Sequence, residues 1–139
     1  MMAKILIIDD DPLTLEEIAD LLASTGHQVT TGKTAKNAQK LLSDQTFDLV
    51  ITEIIMPEMD GFEFLIWLRR RSGRPKTIAM SGGSAKLEKQ AVLGTARLMA
   101  DGILQKPVTH TELDKMVREL FEVNSTLSHS VDTVKQPKD

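Results

Sequence analysis

The sequence predicts an α/β domain, a doubly wound five-stranded parallel sheet assembled from five strand-helix units, (βα)5. Three observations predict it. Apolar runs such as AKILII at residues 3–8 are nearly continuous, as strands buried on both faces require. Stretches with apolar residues at helical spacing separate those runs. The connections are short, and the right-handed crossover rule turns such an alternation into a parallel sheet with helices on both faces.

The first strand, Ala3 to Ile8, is stopped by three acids, Asp9, Asp10 and Asp11. Asp11 then suits an N-cap with Pro12 at the first helical position, and Leu15, Ile18 and Leu22 recur at helical spacing until Gly26 ends the pattern. A weak strand around Gln28 to Thr31 leads to a second helix with Ala35, Ala38, Leu41 and Leu42 on one face. The third strand runs from Phe47 to Thr52 and delivers Glu53. After Asp60-Gly61, Phe62, Leu65 and Ile66 begin a third helix that reaches Arg71. Lys76 to Met80 forms a fourth strand, stopped by Ser81-Gly82-Gly83. A fourth helix is expected over roughly Leu87 to Met99, although Gly94 interrupts it at about 1 kcal/mol relative to alanine. Gly102 to Gln105 makes the fifth strand, ending at Lys106-Pro107. Thr109 to Glu112 then matches a capping box, and Leu113, Met116, Val117, Leu120 and Phe121 complete an amphipathic stripe. The domain is expected over residues 1–122, with 123–139 as a flexible polar tail.

The chain has 139 residues, enough for one domain with a sizeable core. Its 41% hydrophobic and 27% charged residues are ordinary for a globular protein, and a net charge of −3 argues against a broad nucleic-acid surface. There is no cysteine, which excludes disulfides, thiolate metal sites and cysteine nucleophiles. No apolar stretch approaches the roughly 20 residues that span a bilayer, and the N-terminus lacks the form of a signal peptide, so a cytoplasmic location and no membrane contact are expected. The basic residues Arg69, Arg70, Arg71, Arg74 and Lys76 lie at a helix C-terminus, where cations complement the dipole. His27, His110 and His129 lack metal spacing and read as surface positions.

In an open parallel sheet, functional residues gather beyond the carboxyl ends of the strands. Here those ends carry Asp9, Asp10 and Asp11, then Glu53, Ser81 and Lys106. Carboxylates held this close repel, so a hard divalent cation or the lysine must offset them, or one must stay protonated. Oxygen ligands without His or Cys favour Mg²⁺. A lysine and a hydroxyl facing such a site form a cradle for a phosphoryl group.

With IIDDDP at 7–12, MPEMDG at 56–61, a hydroxyl residue after the fourth strand and Lys-Pro after the fifth, the chain resembles the receiver domain of two-component response regulators. The resemblance covers roughly Ala3 to Phe121 and implies the flavodoxin-like receiver fold. It further implies that Asp9 and Asp10 bind Mg²⁺ together with the Ile55 backbone carbonyl and the acid at 53. Ser81 and Lys106 would contact the phosphoryl group. The implied function is that of a stand-alone signalling module rather than an enzyme. Its implied partners are a sensor histidine kinase, a phosphotransfer protein or a downstream effector, with the chain a monomer or weak dimer.

Two residues depart from the family pattern. The family's phosphoacceptor is an aspartate, and this chain has Glu53, whose extra carbon-carbon bond moves the carboxylate out by up to about 1.5 Å. Displacements of about 1 Å at a reacting centre can cost on the order of 10²-fold in rate. Three readings follow: a phosphate mimic carrying about one charge against the 1.5 to 2 of a phosphate, an inert interaction module, or a site still phosphorylated or metal-regulated. Glu53 is also long enough to bond Lys106 directly, which would leave Asp10 less reason to recruit a cation. Ile103 stands where the family commonly has Tyr or Phe, three residues before the lysine, so the familiar ring rotation has no counterpart here. A separate alternative is a magnesium phosphatase of the haloacid dehalogenase type, because Asp9-Asp10-Asp11 followed by Thr14 loosely matches that superfamily's Asp-x-Asp motif.

Overall fold

Strand β1 (Lys4–Ile8) is followed by α1 (Pro12–Ser24), β2 (Gln28–Gly32), α2 (Ala35–Asp44), β3 (Leu49–Glu53) and α3 (Gly61–Arg69). Then come β4 (Lys76–Ser81), β5 (Gly102–Gln105) and α4 (His110–Ser130). The computed structural model describes residues 2–56, 61–82 and 99–130. Apart from Met99, the helix expected over Leu87 to Met99 lies outside the described residues, as does the 57–60 part of the MPEMDG loop. The chain divides into two compact units, Met1–Val108 and Thr109–Asp139.

In the first unit the five strands are all parallel and ordered β2-β1-β3-β4-β5. The central strands are the buried ones: every residue of β3 is buried, while edge strand β2 (QVTTG) is half exposed. This explains why β2 is only weakly marked in the sequence, since a strand covered on one side needs fewer apolar residues. The chain steps outward from β1 to β2 and back across to β3, so right-handed crossovers place α1 on one face and α2 and α3 on the other. On that second face Leu6, Ile8 and Val50 pack with Ala35, Ala38 and Leu42 of α2 and with Phe64 and Leu68 of α3. A second cluster, Ile54, Leu65 and Ala79, is flanked by Phe62, Met99, Ala100 and Ile103.

The helix ends follow the signals in the sequence. Asp11 caps α1 by accepting from the Leu13 amide at 3.2 Å, with Pro12 at N1. Gly26, at φ +96°, closes α1: its amide donates to Ala23 O at 3.0 Å and that of His27 to Leu22 O at 3.1 Å. The Thr34 side chain caps α2 by accepting from the Asn37 amide at 3.0 Å. The basic run after α3 has structural partners, because Arg71 lies over the Trp67 ring at 4.6 Å and donates to Leu42 O, while Arg69 donates to Met99 O.

The second unit begins with the expected capping box: the Glu112 amide donates to Thr109 Oγ1 at 3.1 Å, and the Thr109 hydroxyl donates to Glu112 Oε1 at 2.9 Å. Helix α4 runs on to Ser130, past Glu122, where the sequence reading ends the helical pattern.

Candidate functional site

The first unit's sheet changes direction between β1 and β3, the two strands from which successive crossovers leave in opposite directions. A crevice opens at such a switch point, beyond the carboxyl ends of the strands. The strand ends are tied together just past the ladders. The Asp9 amide donates to Gly32 O at 3.2 Å, that of Ile54 to Met80 O at 3.0 Å, and that of Lys106 to Ser81 O at 2.9 Å. Asp9, Glu53, Ser81 and Lys106 are thereby held on one rim. Lys106 and Pro107 are joined by a cis peptide bond.

The Lys106 ammonium lies between two carboxylates, with Nζ 2.6 Å from Asp9 Oδ2 and 2.5 Å from Glu53 Oε1. Asp9 is fully buried, Glu53 is 5% exposed, and the lysine is partly open to solvent. The remaining oxygens face backbone donors. Glu53 Oε2 accepts from the amides of Ile54 at 2.8 Å and Ile55 at 3.2 Å, and Asp9 Oδ1 accepts from the amide of Asp11 at 2.9 Å. Glu53 is thus held at both oxygens. The Asp9 contact with Lys106 is close without being aligned as a hydrogen bond. Burial pushes the Asp9 carboxyl above its ordinary 3.8, against the pull of the ammonium. For Lys106 desolvation works downward, but the carboxylates of Asp9 and Glu53 outweigh it and raise the ammonium above 10.5.

Ser81 is completely buried, and its Oγ has no hydrogen-bond partner among the described residues. Its carbonyl accepts from the Lys106 amide, yet Glu53 binds the lysine and not the hydroxyl. Asp10 and Ile55 are exposed, the latter with 53% of its surface free. The acid pair expected at the first strand is therefore divided, Asp9 turning into the rim and Asp10 to solvent. Asp11 serves the helix: it accepts from the Thr14 hydroxyl at 2.7 Å as well as from the Leu13 amide. Of the two acids in the Asp-x-Asp pattern, Asp11 is thus a helix cap and Asp9 a rim residue.

Two contributors to the site carry no motif. The Ile54 and Ile55 amides that hold Glu53 are backbone groups, invisible to any reading of side chains. Gly82 gives the Lys106 stem its path, since a Cβ there would stand 3.1 Å from Lys106 Cδ and 3.4 Å from its Cβ. A glycine directly after the hydroxyl residue was the available signal.

Mg²⁺ requires near-octahedral oxygen coordination. The nearest oxygens of Asp9 and Glu53 are taken by an ammonium, their other oxygens by amides, and among the described residues no three His, Cys, Asp or Glu side chains gather as a metal-binding group. As arranged, these residues do not fit the ion.

A family model described as "Response regulator receiver domain" matches residues 5–118. The chain is 33% identical over 117 residues to an uncharacterized 14.6 kDa protein of Leptolyngbya boryana, covering 83% of this chain and 87% of that one. It is 31% identical over 105 residues to the sensor histidine kinase RcsC of Salmonella typhimurium, covering 76% of this chain and only 11% of the kinase. A solved signal receiver domain of a histidine kinase from Syntrophus aciditrophicus superposes with a TM-score of 0.76 at 27% identity, over 86% of this chain and 90% of that one. The chemotaxis response regulator CheY4 of Vibrio cholerae does so at 0.73 and 26%, over 86% and 99%.

Proposed function

The chain belongs to the response regulator receiver domain family of two-component signalling, and from that premise we propose that it works as a phosphorylation-independent protein-interaction module, with Glu53 at the position of the phosphoacceptor. One observation carries the reading: both oxygens of Glu53 are occupied, one by the Lys106 ammonium at 2.5 Å and the other by two backbone amides. Three of the roughly four acceptor sites of this carboxylate are engaged, and its extra methylene carries it past the position from which an aspartate would attack. The same contact lets Glu53 imitate part of a phosphorylated acid. It supplies the negative partner for Lys106, while Ser81 keeps no partner among the described residues, so the imitation extends to the lysine alone.

The partners proposed for this module are those of the pathway class: a sensor histidine kinase, a phosphotransfer protein or a downstream effector. No helix among the described residues is long and apolar enough to cross a membrane.

The test is incubation with acetyl phosphate and Mg²⁺, read by intact mass, on the wild type and on Glu53→Asp side by side. In a competent site the carboxylate oxygen bonds to phosphorus as the bond from phosphorus to the acetyl oxygen breaks and acetate departs. The wild type is expected to keep its mass, and Glu53→Asp to gain one phosphoryl group. A gain on Glu53 of the wild type would overturn the proposal.

A further inference from the structure

Two carboxylates that share one buried rim cannot both stay charged without a cation between them. In this chain the cation is covalent. We infer that the Lys106 ammonium takes the place of a divalent metal ion in this rim, so that the site is neutralised from within and its state does not respond to magnesium. The inference rests on the reading of Glu53 as a held acid and concerns how that same site is regulated.

The geometry supports it from three sides. Nζ lies 2.6 Å from Asp9 and 2.5 Å from Glu53, so the side-chain oxygens most useful to a metal already converge on it. An ion bound to either oxygen at about 2.1 Å would stand within roughly 5 Å of a positive charge. The opposite oxygens are directed at backbone N–H groups of Asp11, Ile54 and Ile55, which also repel a cation. The third side is the division of the acid pair: Asp10 is exposed while Asp9 is fully buried, so the two do not present a two-acid edge. The extra methylene of Glu53 is what makes the arrangement possible. An aspartate at 53 would withdraw its carboxylate by up to about 1.5 Å from the ammonium. The lysine contact would then be lost or lengthened, and an oxygen would be released toward the rim.

The experiment uses the full chain and Mn²⁺ as a paramagnetic probe. Broadening of the backbone amide signals of Asp10, Asp11, Ile54 and Ile55 is followed at millimolar Mn²⁺ and reversed by excess Mg²⁺, for the wild type, Glu53→Asp and Lys106→Met. The wild type is expected to show no broadening confined to these amides, and each variant to bind at least tenfold more tightly. Should Lys106→Met fail to fold, Glu53→Asp carries the comparison alone. Wild-type binding equal to that of the variants overturns the inference. So does the absence of site-confined binding in all three, because something other than Lys106 and Glu53 would then keep the ion away. Phosphoryl transfer has no part in this readout. A wild type that binds Mn²⁺ as tightly as the variants but accepts no phosphoryl group overturns the inference alone, whereas one that accepts the group overturns the reading beneath it.

Discussion

Glu53 differs from an aspartate by one methylene, and the length of that side chain decides what the rim does. It lets Oε1 reach the Lys106 ammonium while Oε2 stays on the amides of Ile54 and Ile55. The contact has a consequence for stability against pH. Desolvation alone would depress Lys106, but the two carboxylates hold it above 10.5. A raised lysine value means that the folded state binds the proton more tightly than the unfolded state, so the contribution is fully present below 10.5 and is lost as pH rises through the raised value. Asp9 is raised as well, by burial, and its contribution is present below 3.8 and lost as pH climbs through its own raised value, which makes the charged Asp9 a burden that Lys106 relieves. Glu53→Gln removes one of the two charges that raise Lys106. Urea midpoints measured from neutral pH to beyond 10.5 are expected to fall less in Glu53→Gln than in the wild type, and an identical alkaline loss would argue against the contact. Much of this was legible in the residues: a lysine and two acids at strand ends must offset one another, and Glu53 was long enough to reach. The division of Asp9 from Asp10 was not legible, because it depends on how the chain turns after β1, and consecutive acids look alike in a sequence.

At the scale of elements, the clearest signals were the caps. Asp11-Pro12 and the Thr109 to Glu112 box each satisfy orphan amides at a helix start and could be read because the chemistry needs a short polar side chain at one position; Thr34 caps α2 in the same way and was not singled out in the sequence. Thr34→Ala removes the acceptor for the Asn37 amide and is expected to destabilise the protein by about 1 kcal/mol, measured by thermal denaturation, with Thr34→Ser recovering most of the loss. The strands were legible in proportion to their burial: β1, β3 and β4 as apolar runs, and β2 only faintly because half of it faces solvent. The continuation of α4 to Ser130 was missed for a related reason. An amphipathic stripe reports an apolar face, and the run VNSTLSHS at 123–130 has too few apolar residues to mark a helical period.

At the scale of the molecule, the strand order brings the first and third strand ends together at the switch point, and that juxtaposition turns separate acids into one site. On the face that carries α2 and α3 the core runs from α2 across Leu6, Ile8 and Val50 to α3, with Phe64 the largest fully buried side chain among the described residues. Phe64→Ala is expected to remove about 3 to 5 kcal/mol, a large part of the 5 to 15 kcal/mol typical of a whole domain, and to appear as a lower urea midpoint. The parallel, doubly wound sheet followed from the alternation of elements and the crossover rule, whereas the order of its strands did not. That Glu53 could reach Lys106 was legible in the sequence; the second contact of the ammonium, with Asp9 at 2.6 Å, was not, because it depends on a few ångströms of side-chain reach. The most direct measurement of the central claim, that Glu53 is committed to Lys106, is a double-mutant cycle of Glu53→Gln and Lys106→Met by urea denaturation. The account predicts a favourable coupling of about 1 to 3 kcal/mol between the two positions. Effects that simply add would contradict it.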